Sequence, residues 1–276
     1  LFVKYFKWGV GRAATATVIS QFLSAIISFV KLTTVDDVHK IVPHDVRIDW
    51  PMLREVLATG LPTGVQNSVI GLANVIVQSN INDFGSDAMA GCGAYFKIEG
   101  FAFLPVTSFS VALTTFTSQN LGAKQYDRVK KGTAFGLVSG VALAELIGIV
   151  FVIFAPSLIA MFNSSPEVVA FGAMQARTEA LFYCVLSLSH CMAGIIRGAG
   201  KTMVPMLIML ICWCVIRVAY ITITVHFIPD IRVVFWGYPI TWMLSSVCFT
   251  LYYFKGDWMH NFERLDARRN AAANRN

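Results

Sequence analysis

Seven windows of about twenty residues, near 12–30, 60–82, 95–118, 133–154, 179–196, 203–225 and 233–254, are apolar and almost free of charge. At about 1.5 Å of rise per residue, each is long enough to cross a hydrocarbon layer roughly 30 Å thick as a helix. Lipid offers no partner for backbone N–H and C=O groups, so windows of this kind fold as helices that close their own hydrogen bonds. The predicted fold is therefore an all-α integral membrane protein with seven transmembrane helices. A composition that is 56% hydrophobic and 14% charged, with 21 Phe and 6 Trp, excludes a single soluble domain.

The basic residues follow the same pattern. The segments after spans 1, 3, 5 and 7 carry Lys31, Lys40, Arg47, Arg54, Lys124, Arg128, Lys130, Lys131, Arg197, Lys201, Lys255, Arg264, Arg268, Arg269 and Arg275, whereas the opposite side carries only Lys4, Lys7, Arg12 and Arg232. Lys and Arg accumulate on the cytoplasmic side, which predicts a first span running inward and a cytoplasmic C-terminus. The net charge of +6 is thus a topology signal and not a nucleic-acid footprint. Cys92, Cys184, Cys191, Cys212, Cys214 and Cys248 lie in or beside apolar spans and read as small core hydrophobes, not as a disulfide set. The chain begins at Leu1 without an initiator Met or a signal peptide, which reads as a piece of a longer protein.

Polar residues within the spans mark where function is expected. The linker from Lys31 to Gly60 separates span 1 from the rest, and its His39 and His44 lack a third ligand and read as solvated. Span 2 is polar without being charged: Gln66, Asn67, Asn74 and Gln78 accompany Gly60, Gly64 and Ser68. Interhelical glue explains the small residues, while so many amides on one helix predict a face toward a wet cavity. Pro62 and Pro105 each remove a helix hydrogen bond and predict kinks in spans 2 and 3. Glu99 stands about one turn from the second of these. An intramembrane carboxylate is a functional-site candidate by default.

Counting from the outer helix ends places Glu99, Lys97, Glu145, Arg217, Arg177 and Glu179 roughly 13 to 20 Å deep, in one layer. Two readings stand for it. The six form ion pairs that lock the bundle, or at least one carboxylate exchanges a proton or holds sodium. Glu145 and Arg217 are expected to pair, with Arg177 and Glu179 as further members of the structural layer. Glu99 is the ion-coupling candidate, and Gln66, Asn67, Asn74, Gln78 and Lys97 are candidate cavity residues.

Four stretches, in order, carry a family resemblance: AATATVISQ (13–21), GLPTGVQNS (60–68), TSQNLGAKQYDRVKKG (117–132) and IIRGAGKTMVPM (195–206). They resemble the multidrug and toxic compound extrusion (MATE) transporters. That resemblance implies two six-helix lobes that exchange organic cations against protons or sodium, with no other cofactor and no enzymatic activity. On it, residues 1–31 correspond to the last helix of the N-lobe, 32–52 to the cytoplasmic inter-lobe linker, 53–256 to the six-helix C-lobe and 257–276 to a cytoplasmic tail. The implied location is the bacterial cytoplasmic membrane. The implied partners are cationic drugs, the lipid bilayer and an N-lobe of the same polypeptide, with no nucleic acid. Residues 60–82 contain no acid, so the glutamate that one branch carries in the first C-lobe helix is absent here. KIEGFAFLP (97–105) resembles another branch.

In physical terms the basic motifs are helix ends. Gln119 and Asn120 are suited to satisfying terminal carbonyls, Gly122 to a left-handed cap, and RGAGKT to a tight turn between helices. RGAGKT lacks the spacing and preceding strand of a phosphate loop. The competing readings are a flippase of lipid-linked oligosaccharides from the same superfamily and a seven-span receptor or retinal protein. A retinal protein needs a Lys in the last span, and residues 233–254 contain none.

Overall fold

The computed structural model describes residues 10–35, 40–42, 44 and 47–260; the side chains of residues 10–14 and 16 lie outside that description. His39, Pro43 and most of the tail expected at 257–276 fall outside the described residues. The chain divides into two units, Leu1–Val56 and Leu57–Asn276. All regular structure among the described residues is helical.

The first unit contains α1 (Val10–Thr34), whose Val18, Phe22, Ile26 and Val30 are exposed. Helix α2 (Trp50–Asn82) begins at its end, where Asp49 accepts a hydrogen bond from the Met52 N–H (3.0 Å) and caps the first turn.

The second unit continues with α3 (Ser86–Gly122), α4 (Tyr126–Ala160), α5 (Pro166–Glu179), a 3₁₀ turn (Ala180–Phe182), α6 (Tyr183–Gly198), α7 (Met203–Met209), a π-helical segment (Leu210–Ile216), α8 (Arg217–Phe227) and α9 (Ile231–Lys255). Helix α5 runs through the 3₁₀ turn into α6, and α7 runs through the π segment into α8. The described residues hold six segments long and apolar enough to cross a membrane: Thr17–Thr34, Ser86–Gly122, Tyr126–Ala160, Pro166–Gly198, Met203–Phe227 and Ile231–Lys255. The expected seventh, α2, is 33 residues long, and its amides and small residues keep it out of that set.

Small residues decide which helices approach most closely. A Cβ on Gly172 would lie 2.8 Å from the Gly91 carbonyl oxygen, so α3 and α5 touch backbone to backbone. Gly194 and Gly198 of α6 sit in the same way against the carbonyls of Ser110 and Thr114 on α3. Helix α2 docks differently, through longer side chains: Val77 and Ile81 enter a core shared with Tyr183, Leu186, Phe235 and Trp242.

The turns follow the motifs with two corrections. Gly200 takes a positive φ of 79° in RGAGKT, where its N–H and that of Lys201 close onto the carbonyls of Arg197 and Ile196. In the α3–α4 turn, however, the left-handed residue is Lys124 (φ 57°), not Gly122. Helix α3 continues to Gly122, and the reversal comes two residues later. The Asn120 side chain donates to the Phe116 carbonyl (2.7 Å), one turn back inside α3, and not to one of the terminal carbonyls expected for it.

Candidate functional site

The α3–α5 contact sets the site. Glu99 lies eight residues beyond Gly91 and Glu179 seven beyond Gly172, on helices that leave their contact in the same direction, so the two carboxylates come to nearly one level. Both are buried. The Tyr95 hydroxyl, one turn before Glu99, donates to Glu99 Oε1 at 3.5 Å and shares a 2.9 Å hydrogen bond with the Tyr183 hydroxyl. Gln175, one turn before Glu179, donates through Nε2 to Glu179 Oε1 at 2.8 Å. Glu179 Oε2 and Gln175 Oε1 remain buried without a hydrogen-bond partner.

The facing cation is Arg217, 2% exposed, at the start of α8. Its Nε and one terminal nitrogen donate to Thr241 Oγ1 on α9 at 3.1 and 2.9 Å. The Thr241 hydroxyl is within bonding distance of the Gly237 and Tyr238 carbonyls, which directs its oxygen to the arginine. The guanidinium lies over the rings of Tyr238 (4.4 Å) and Trp213 (5.2 Å), where the aromatic quadrupoles offset part of its lost hydration. Tyr183, bonded to Tyr95, and Tyr238, under the guanidinium, both pack on the Trp242 ring (centroids 6.3 and 6.0 Å away), which brings Arg217 into the same buried cluster as the acids, yet no ion pair within 4.0 Å joins it to either carboxylate among the described residues. Two buried acids therefore share one buried base across a gap.

Both partners of this cluster sit where a helix changes its winding. Glu179 ends α5 just before the 3₁₀ turn, and Arg217 opens α8 just after the π segment. A π segment adds backbone to one turn and re-aims the residue that follows, and such segments concentrate at functional sites. Nothing in LICWCVI announces it.

The expected pairing of Glu145 with Arg217 is not formed. Glu145 on α4 is half-buried, and its Oε2 accepts the Cys184 N–H at 3.1 Å. That N–H is at the first turn of α6, where a helix start leaves donors unsatisfied, so the carboxylate serves as a remote cap. Lys97 and Arg177 are exposed, with the Lys97 ammonium 5.6 Å from the Phe162 ring centre. The layer of six thus resolves into three buried groups, one helix cap and two exposed cations. Of the α2 amides, Gln66 is buried and donates to the Met209 sulfur, while Asn67 and Asn74 are exposed and Gln78 is half-buried and bonded to Asn82. Pro62 and Pro105 lie inside α2 and α3, which continue through them. The Thr107 hydroxyl bonds to the Phe103 carbonyl, and the Thr107 and Ser108 hydroxyls to that of Leu104.

Tyr95, Tyr183, Gln175, Tyr238, Trp213 and Thr241 are site residues that sequence reasoning did not single out. A signal existed for two of them. Tyr95 precedes Glu99 and Gln175 precedes Glu179 by four residues, the helical spacing at which side chains meet. Because the site depends on close approach of α3 and α5, Gly172→Leu is expected to lower stability by about 1–3 kcal/mol, since the nearest obstructing atom is the Gly91 carbonyl oxygen, which cannot swing aside, and the Ile159 side chain crowds the same point. Thermal unfolding in detergent reads this directly, and an unchanged melting temperature contradicts it.

Buried ionisable side chains inside helices long and apolar enough to cross a membrane mark a functional site, as in membrane transporters. The MatE family model matches residues 62–223, and the chain belongs to that family of transporters. Relatives include the probable multidrug resistance protein YpnP of Bacillus subtilis, 27% identical over 94% of this chain and 57% of its own length. The probable multidrug resistance protein NorM of Thermotoga maritima is 28% identical over 73% of this chain and 43% of its own. The FAD transporter of Shewanella oneidensis is 24% identical over 74% and 45%. Among solved structures, an outward-facing multidrug resistance MATE family transporter of the MOP superfamily superposes with a TM-score of 0.83 at 18% identity, covering 98% of this chain and 59% of that one. The chain spans about half the length of the curated relatives it matches.

Proposed function

We propose that the chain forms the last N-lobe helix (1–31), inter-lobe linker (32–52), C-lobe (53–256) and tail (257–276) of an ion-coupled exporter of cationic amphiphiles. It sits in a bacterial cytoplasmic membrane with its C-terminus inside, the orientation that the asymmetry of Lys and Arg favours. The observation that carries the ion coupling is the buried excess of one carboxylate: Glu99 and Glu179 share Arg217. Arg217 balances one negative charge. The other is tolerated in a low-dielectric bundle when a proton or a sodium ion accompanies it.

In this reading, an ion enters the cluster while the protein is open outward and neutralises it. Loss of the ion restores a net negative charge that one lobe arrangement solvates better than the other, which biases the rocking of two lobes around a central cleft. Glu99 is the residue expected to exchange the ion. Tyr95 links it to Tyr183 and so to α6, and the unpartnered oxygen of Glu179 supplies a further ligand or proton position. Asn67 and Asn74 lie seven residues apart on one face of α2, with Gln78 one turn further on. With Gln66 and Lys97 they are proposed to line or tune the substrate cleft, with Pro62 and Pro105 as the bending points of its helices.

A second reading concerns the substrate. The Shewanella relative is named an FAD transporter, which favours an anionic, planar cargo, and Lys97 would then face it. Cells that lack their own exporters and express the full-length protein separate the two: gradient-driven ethidium efflux supports the cationic reading, and FAD export without ethidium efflux replaces it. The chain of residues 1–276 alone, reconstituted in ethidium-loaded liposomes, is expected not to move dye, since alternating access needs a second lobe to rock against. Ion-driven dye movement by that chain would overturn the two-lobe reading.

A further inference from the structure

A cavity of about 810 Å³ opens between the end of α4, α5, the 3₁₀ turn and the start of α9. Glu99, Glu179 and Arg217 do not line it, and neither α2 nor α3 contributes to its wall. Most of the wall is apolar, with Val169, Ala173, Leu181, Phe182 and Trp236 forming its floor and sides. Two guanidiniums, those of Arg177 and Arg232, complete it, and no acidic residue lines it. Both arginines are exposed, and neither side chain has a hydrogen-bond or ion-pair partner among the described residues.

The two guanidiniums come to one level. The rings of Phe182 and Trp236 meet edge to face, 5.7 Å apart. Arg177 precedes Phe182 by five residues and Arg232 precedes Trp236 by four, and α5 and α9 both run away from the same face of the bundle, so the arginines stand side by side about one turn above that ring contact. Arg232 is the second residue of α9, which sets this level at the end of a membrane-crossing helix. Counting from the outer helix end, taken at Pro166 for this helix, placed Arg177 deep in the layer of charges. The ring contact places it with the start of α9, because α5 begins well above α9 along the bundle axis.

We propose that this cavity binds an anionic phospholipid of the leaflet in which α9 begins, its phosphate between Arg177 and Arg232 and an acyl chain along Leu181, Phe182 and Trp236. The chemistry of the wall selects the ligand. Two unpaired cations at the interfacial level call for an anion, and the apolar surface directly below them calls for a hydrocarbon tail joined to it. A small soluble anion would leave that surface uncovered, and a neutral lipid would leave the guanidiniums unpaired. Trp236, about one turn below the arginines, is half exposed, and indole rings favour the boundary between headgroups and chains. Basic pockets between membrane helices hold anionic headgroups in the same manner. The inference does not rest on the transport reading.

The test uses the full chain reconstituted in vesicles of equal phosphatidylglycerol and phosphatidylcholine, re-extracted in mild detergent, with the retained lipid quantified by mass spectrometry. Phosphatidylglycerol is expected to be retained preferentially. The R177Q/R232Q variant should lower that retention by at least about ten-fold relative to the wild type, leave phosphatidylcholine unchanged, and unfold at the wild-type temperature because both side chains are exposed. Ala170→Trp, which fills the cavity from an exposed wall position without touching either arginine, should lower it as well. Retention by R177Q/R232Q equal to the wild type would overturn the proposal, as would displacement of the lipid by millimolar inorganic phosphate, which would leave a simple anion site.

Discussion

Replacing Arg217 by Met is expected to lower stability by about 3–5 kcal/mol, the usual cost of stranding buried charge. The guanidinium is 2% exposed, rests on two aromatic rings and is the buried cation of the cluster that holds Glu99 and Glu179. Removing it leaves two buried carboxylates with only hydroxyl and amide partners. Glu179→Gln in the same chain should return part of the loss, because it removes one of the stranded charges, whereas Glu145→Gln should return none. Thermal melts of the single and double variants check both statements. Strict additivity of Arg217→Met with Glu179→Gln would mean that the two are not energetically linked.

The second large effect concerns transport. In the full-length protein, Glu99→Gln is expected to reduce ion-driven efflux at least about ten-fold, equivalent to about 1.4 kcal/mol, while leaving the melting temperature unchanged or raised, since it removes a buried charge that Arg217 already shares. Glu179→Gln should weaken efflux and also shift its dependence on pH or sodium. A structural role alone predicts the reverse: lower stability with near-normal coupling. Efflux and melting temperature measured on the same preparations therefore separate the two accounts.

The helices were legible in the sequence because each apolar window far exceeds what a soluble core needs, but their lengths were not. The apolar window at 179–196 covers only the inner part of the fifth segment, which begins at Pro166, the outer end from which depth was counted, and carries Arg177 and Glu179 inside it. Depth counting grouped six residues, of which the structure buries only Glu99, Glu179 and Arg217 together, and it paired Arg217 with the wrong acid. Glu145 and Arg217 share an estimated depth, but depth says nothing about azimuth around the bundle, and Glu145 turns instead to the Cys184 N–H. The partnership of Glu99 with Glu179 depends on the crossing of α3 and α5 at Gly91 and Gly172, and that of Arg217 on a π segment without a sequence signature. A pattern read along one helix can nominate Glu99. It cannot report which neighbouring helix brings the second acid.

The central claim is that Glu99, Glu179 and Arg217 form one ion site. Ion uptake by the purified full-length transporter tests it most directly: equilibrium sodium binding, and proton uptake when the protein is moved to lower pH, compared between wild type and the E99Q/E179Q variant at equal folded fraction. The account predicts that the wild type takes up about one proton or sodium ion more than the variant, the single charge that two carboxylates carry beyond one guanidinium. Equal uptake by the two proteins, with efflux still coupled to the ion gradient, would place the coupling site outside this cluster and contradict the account.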